Sequence, residues 1–201
     1  VPTIFDDLLE RFHVYLAGVD NDLAADEVAR ISWDMPARPL EPRALGCLGY
    51  LDRIAELAPA DAKPLTRLVA DHRDELRWGQ TYTAADFGQG FVDNYGWLEV
   101  FGTRGHFVNN EVAGGLLILG PNIVYSDHHH IAEEIYIPLT GGTAWRMGEG
   151  NFHIRDAGEV IHHASNVNHA MRTGEDPLMA LYLWRGGPLA QKSTIGSGSR
   201  G

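Results

Sequence analysis

Hydrophobic positions follow two different periods along this chain. In the first part they recur about every 3.6 residues. From Pro2 to Gly18, the residues Ile4, Leu8, Leu9, Phe12 and Leu16 fall on one face, acids come early and Gly18 offers a stop, so a helix is predicted. A shorter helix is predicted over Ala24–Ile31. Arg43–Leu57 holds Leu45, Leu48, Leu51 and Ile54 in step and predicts another. Asp61 can cap a fourth, running through Leu65, Leu68, Val69 and Leu76 to about Trp78, with Pro64 tolerated in its first turn.

Near Trp78 the period shortens. Segments rich in β-formers alternate with glycines and turn residues: FVDNYGWLEVFG, HFVNNEV, GLLILG, EEIYIPL, TAWRMGEGNFHI, EVIHH, HAMRT and LMALYLWR. This spacing predicts an all-β barrel or sandwich. The reading is a helical region over residues 1–79, a β-barrel over 80–187, and a tail over 188–201 whose GSGSRG ending has the composition of a flexible linker.

Composition narrows the partners. Of the 201 residues, 44% are hydrophobic and 21% charged, which suits a globular protein. The net charge is −11, and lysine occurs only at 63 and 192. With no basic stripe to follow phosphates, neither nucleic acid nor an anionic membrane surface is an expected partner. The single cysteine, Cys47, lies in an apolar run, and a buried structural thiol is expected there. The absence of a disulfide fits a reducing cytoplasm, and neither a signal peptide nor a membrane span is read.

The candidate chemistry sits in Asp127–Tyr136, DHHHIAEEIY. Side chains alternate along a strand. In an extended segment His128, His130, Glu134 and Tyr136 share one face, and Ile135, Ile137 and Leu139 form an apolar face that packs outward. Imidazoles and a carboxylate are ligands for zinc, iron, nickel, copper or manganese. Further on, Gly158–His169 reads as a strand, a polar turn and a histidine that projects into the same cavity. The same alternation puts His129, His162 and His163 off the ligand face, and gives His13, His72, His106 and His153 structural or surface roles.

The pattern His128-x-His130-x3-Glu134-x6-Gly141 resembles the first cupin motif, and Gly158 followed by His169 resembles the second. The sequence departs from these motifs before His128, where the glycine is Gly120, and at Ala164, Asn166 and Thr173. The resemblance implies a mainly β fold, a cupin-like antiparallel β-barrel (double-stranded β-helix) with an α-helical N-terminal region. It also implies one divalent transition metal, such as zinc, iron or manganese, held by His128, His130, Glu134 and His169. Tyr136, on the face of Glu134, would then approach the metal and act as a base once its proton is lost; Tyr125 is the alternative base.

Over most of its length the chain is similar to the cupin-type dimethylsulfoniopropionate (DMSP) lyases of marine bacteria, of the DddQ type. The helical N-terminal part, HHHIAEEIYIPLTGGTAWR and HASNVNHAMRTGEDPLMALYLWRGG carry the likeness. It implies cleavage of a small zwitterionic sulfonium substrate to dimethyl sulfide and acrylate. A methylated cation binds aromatic faces well, so Tyr125, Tyr182 and Trp184 are the candidate substrate-binding residues. The rival readings are an iron-dependent cupin dioxygenase and a non-catalytic cupin that binds a small molecule. The helices can serve as a lid, a plug or the interface of a homodimer.

Overall fold

The computed structural model describes residues 2–196. Helix α1 (Ile4–Ala17) opens on Thr3, whose hydroxyl accepts from the Asp6 amide while the Asp6 carboxylate accepts from the Thr3 amide. Such a reciprocal cap contributes about 1 kcal/mol. Helix α2 (Asp22–Arg30) begins earlier than its hydrophobic pattern indicates, because the Asn21 side chain caps it. Arg43–Leu57 is not one helix. A 3-10 segment (Gly46–Tyr50) leads into α3 (Leu51–Leu57), since Gly46 and Gly49 weaken helix and Arg43 is drawn into a bridge with Arg77. Helix α4 (Lys63–Asp71) is also shorter than predicted, and Ala62 rather than Asp61 takes its cap position. Trp78 leaves the helical run to join strand β1 (Trp78–Gly79). Two short helices, α5 (Ala84–Phe87) and α6 (Gln89–Asp93), occupy ground the sequence pattern partly assigned to a strand.

The remaining strands are β2 (Tyr95–Gly102), β3 (Phe107–Val108), β4 (Val112–Leu119), β5 (Val124–His129), β6 (Glu133–Pro138), β7 (Thr143–Met147), β8 (His153–Arg155), β9 (Ile161–His163), β10 (His169–Arg172), β11 (Leu178–Arg185) and β12 (Thr194–Ile195). They form two sheets. The larger runs β1-β2-β4-β11-β6-β9, with β3 added beside β2; the smaller runs β12-β5-β10-β7-β8. All pairs are antiparallel except β2–β3. From β4 to β7 successive strands alternate between sheets, which is the winding of the expected cupin-like double-stranded β-helix. The two sheets are separate hydrogen-bonded sets that face one another across the interior.

The larger sheet is buried on both faces. Its outer residues, among them Leu116, Ile118, Ile135, Ile137 and Leu181, pack with Leu8, Phe12, Leu51 and Leu65 of the helices. Its inner residues, including Leu117, Tyr136, Ala180 and Tyr182, face Tyr125, Trp145 and Met171 of the smaller sheet. The apolar face of Ile135, Ile137 and Leu139 thus meets the helical layer, and the functional candidates face between the sheets. Residues 188–196 are not free chain: Leu189 and Ser193 are buried and β12 pairs with β5. The rest of the predicted flexible tail lies outside the described residues. None of the helices described is long and apolar enough to cross a membrane.

His106 ties the helical layer to the sheet. It is buried, stacks on Phe5 at 4.7 Å and accepts from the Arg77 amide at 3.3 Å, while its carbonyl accepts from the Arg38 amide. Burial and the nearby Arg77 charge push its pKa down from 6.5 to about 4. Between those values the unfolded chain binds a proton that the folded one refuses, so stability falls as pH drops from 6.5 towards 4. The slope for one such group is at most about 1.4 kcal/mol per pH unit. His106→Gln is expected to flatten the decline of Tm with pH across this window; parallel Tm–pH curves for variant and wild type would contradict the assignment.

Candidate metal centre and substrate cavity

The chain crosses from the smaller to the larger sheet between β5 and β6, at His130–Ala132. This crossing sets His128 on one sheet, Glu134 on the other and His130 between them. β10 brings His169 opposite His128. A ligand atom from each of His130, Glu134 and His169 lies within 4.8 Å of the others, and all three residues are buried. The contacts to Glu134 Oε2 are 3.1 Å from His130 Nε2 and 3.2 Å from His169 Nε2.

The imidazoles are oriented by the backbone. His128 Nδ1 meets the Ser126 carbonyl at 2.8 Å, His130 Nδ1 the Ala132 carbonyl at 2.8 Å and His169 Nδ1 the Val167 carbonyl at 2.9 Å. A carbonyl only accepts, so each Nδ1 carries a proton and each Nε2 of a neutral ring carries a lone pair. The Nε2 of His169 finds no hydrogen-bond partner despite its closeness to Oε2. The Glu134 carboxylate and the unpartnered Nε2 of His169 thus converge in a buried site, where an unsatisfied group costs about 1–3 kcal/mol. This donor set fits a divalent transition cation.

Burial alone would raise the Glu134 pKa, but hydrogen bonding and positive charge at His130 outweigh it and hold the carboxyl well below the usual range. His130 is shifted the opposite way: burial disfavours its charge, yet Glu134 raises its pKa overall. Burial, and then His169, pushes His128 well below 6.5, so its ring stays neutral. His128 lies at the margin of the cluster, stacked on Tyr125 at 3.9 Å with its ring 4.2 Å from that of His169.

His163 corrects the alternation reading. It is buried, not off the ligand face. Its partner across β6–β9 is Glu134, and directly opposed residues share a face. Its Nδ1 donates to Glu134 Oε2 at 3.4 Å, its ring stacks on His169 at 3.9 Å, and burial lowers its pKa to about 4. The signal was available in the HH pair itself, because one of two adjacent strand residues must point inward. His162, its neighbour, is exposed and meets Glu133.

Beside this cluster lies a pocket lined by Tyr82, Tyr95, Tyr125, Tyr136, Tyr182 and Trp184, with Glu134 at its wall. Strict alternation would turn Tyr125 away from His128. A register irregularity in the β5–β10 pair, where Tyr125 and His128 face Met171 and His169, gives β5 an extra residue and aims both inward. Tyr125 then hydrogen-bonds the Tyr82 hydroxyl at 2.8 Å. Tyr182 reaches over Gly115, where a Cβ would lie 2.6 Å from its hydroxyl oxygen. Trp184 donates its indole N–H to Glu134 Oε1 at 2.5 Å. The Tyr136 hydroxyl is held protonated, its pKa well above 10, first by burial and then by the negative Glu134.

Several cavity residues carried no motif. Tyr82 and Tyr95 come from the segment around α5 and α6, and Arg104 stands over Trp97 while bonded to Glu99. Leu189, Gln191 and Ser193 close one side, and Lys192 fastens this strap to Asp86 of α5 at 2.7 Å.

A profile of the dimethylsulfoniopropionate (DMSP) lyase family matches residues 34–180. The curated DMSP lyase DddQ of Ruegeria pomeroyi DSS-3 is 35% identical over 140 residues, covering 66% of this chain and 69% of the relative. The crystal structure of DddQ from the same organism superposes with a TM-score of 0.87 and 25% identity, over 98% of both chains. A structure reported with the DMSP lyases RdDddP and RnDddQII gives 0.86 and 25%, over 96% of this chain and 98% of that one.

Metal content separates the roles in the cluster. After reconstitution with zinc and desalting, elemental analysis is expected to find His130→Ala, Glu134→Ala and His169→Ala depleted at least about tenfold, while His128→Ala keeps a measurable share. Full occupancy in folded His169→Ala would remove it from the centre.

Proposed function

Because the chain belongs to the dimethylsulfoniopropionate lyase family, and so to the lyases, we propose that it cleaves DMSP to dimethyl sulfide and acrylate in the cavity between its sheets. The observation that carries the mechanism is Tyr136, buried at the wall of an aromatic cavity, two residues from Glu134 on the same sheet face. The substrate joins a carboxylate to a dimethylsulfonium group. Its carboxylate is turned towards His130, Glu134 and His169, and its methylated cation lies among Tyr82, Tyr125 and Tyr182, whose ring faces attract such cations.

A divalent transition metal held by His130, Glu134 and His169, with His128 at its margin, would supply positive charge that eases proton loss from Tyr136 and stabilises negative charge developing on the substrate. Tyr136, as phenolate, takes the proton from the carbon next to the carboxylate. The electrons of that C–H bond form the double bond of acrylate, and the bond from the neighbouring carbon to sulfur breaks. Sulfur keeps that pair and leaves as neutral dimethyl sulfide. Tyr136 ends as a phenol and returns its proton to water. Tyr125, hydrogen-bonded to Tyr82 and stacked on His128, supports the substrate from the other sheet. Exclusion of water by the strap of Leu189 and Ser193 strengthens each of these interactions.

Proton NMR of the metal-reconstituted protein with DMSP, without oxygen, is expected to show acrylate only when metal is present. No acrylate with any of iron, manganese or zinc would refute the lyase mechanism, and oxygen uptake would then be measured. Tyr136→Phe is expected to lower kcat by at least about a hundredfold, the low end for losing a general base. Tyr125→Phe should act mainly through KM. The reverse pattern, in folded variants, would make Tyr125 the base.

A further inference from the structure

Trp184, an expected face for the sulfonium, lines the cavity and also has one ring face occupied from within the protein. On β11 it stands directly opposite Glu134 of β6, so the two side chains share the inner face. Its indole N–H donates to Oε1 at 2.5 Å, and the other oxygen, Oε2, is the one facing His130 and His169. Its ring lies over His130, with centroids 4.0 Å apart and planes 29° from parallel. One side chain therefore touches two of the three clustered groups. Indole is a donor only, so it neither competes as a ligand nor changes role with pH. The ring face covered by His130 is also closed to a methylated cation.

We propose that Trp184 is a positioning residue for the metal centre: its N–H locks the Glu134 carboxylate so that Oε2 alone is presented, and its ring fixes the plane of His130. This inference rests on the metal reading above. A hydrogen bond to a carboxylate is charge-assisted and strong for its kind, and the carboxylate here is buried. Without it Glu134 can rotate, and both oxygens then compete for the imidazoles. Partners of this type typically tune metal affinity by about 10–100-fold.

The test compares zinc affinity, by competition with a chromophoric chelator, in the full chain carrying tryptophan, Trp184→Phe, or 3-benzothienylalanine at position 184. The last keeps the shape and stacking of the ring but has no N–H, so it remains informative if Phe disturbs packing. Both replacements are expected to weaken zinc binding at least about tenfold. At saturating metal, inhibition by trimethylsulfonium should change less than zinc affinity does, because the ring face over His130 is closed to the cation. Unchanged zinc affinity in the benzothienyl protein overturns the proposal, and weaker trimethylsulfonium inhibition alongside it would make Trp184 a cation face instead. A wild-type chain that binds no zinc, iron or manganese would remove the metal reading and this inference together, a result distinguishable from the first.

Discussion

One buried carboxylate organises the interior. Glu134 is 1% exposed, and a lone carboxylate in that position would cost several kcal/mol. It is instead met by His130, His163 and His169 on one oxygen and by Trp184 on the other. Those partners come from the inter-sheet crossing, β9, β10 and β11, so keeping Glu134 solvated by protein fixes the relative register of both sheets. The backbone carbonyls of Ser126, Ala132 and Val167 then decide the tautomers. Fold and site are two aspects of the same arrangement.

The helical layer makes this possible without entering the site. β4 and β11 are apolar on both faces, which would leave a broad greasy surface if only the inner face were covered. The helices cover the outer face, and the inner face is free to carry tyrosines. A five-tyrosine wall is well matched to a substrate that is part cation and part anion: phenol rings attract methylated cations, and their hydroxyls hydrogen-bond at no cost in net charge.

Much of this was legible along the chain. The change of period near Trp78 marked where the first strand begins, although α5 and α6 still follow it, and the shared parity of His128, His130, Glu134 and Tyr136 placed them inward together. What escaped had local physical causes. Parity fails where a strand carries an extra residue, which is why Tyr125 joins His128 inside. The inward turn of His163 depends on its pairing with Glu134, a contact between residues far apart in sequence. The helix predicted over Arg43–Leu57 was interrupted by two glycines and by a bridge to Arg77 that no local pattern announces. The strap at Leu189–Ser193 has the composition of a linker, and its anchors, burial of Leu189, the Lys192–Asp86 pair and the pairing of β12 with β5, are all to residues far away in sequence.

The crossing at His130–Ala132 has a mechanical meaning. Glu134 belongs to one sheet and His169 to the other, so whatever joins them acts as a rivet through the sandwich. Opening the two layers and dismantling the centre are then a single motion. Parting of the two layers at this end would separate Glu134 from His169, so it competes directly with whatever holds them together.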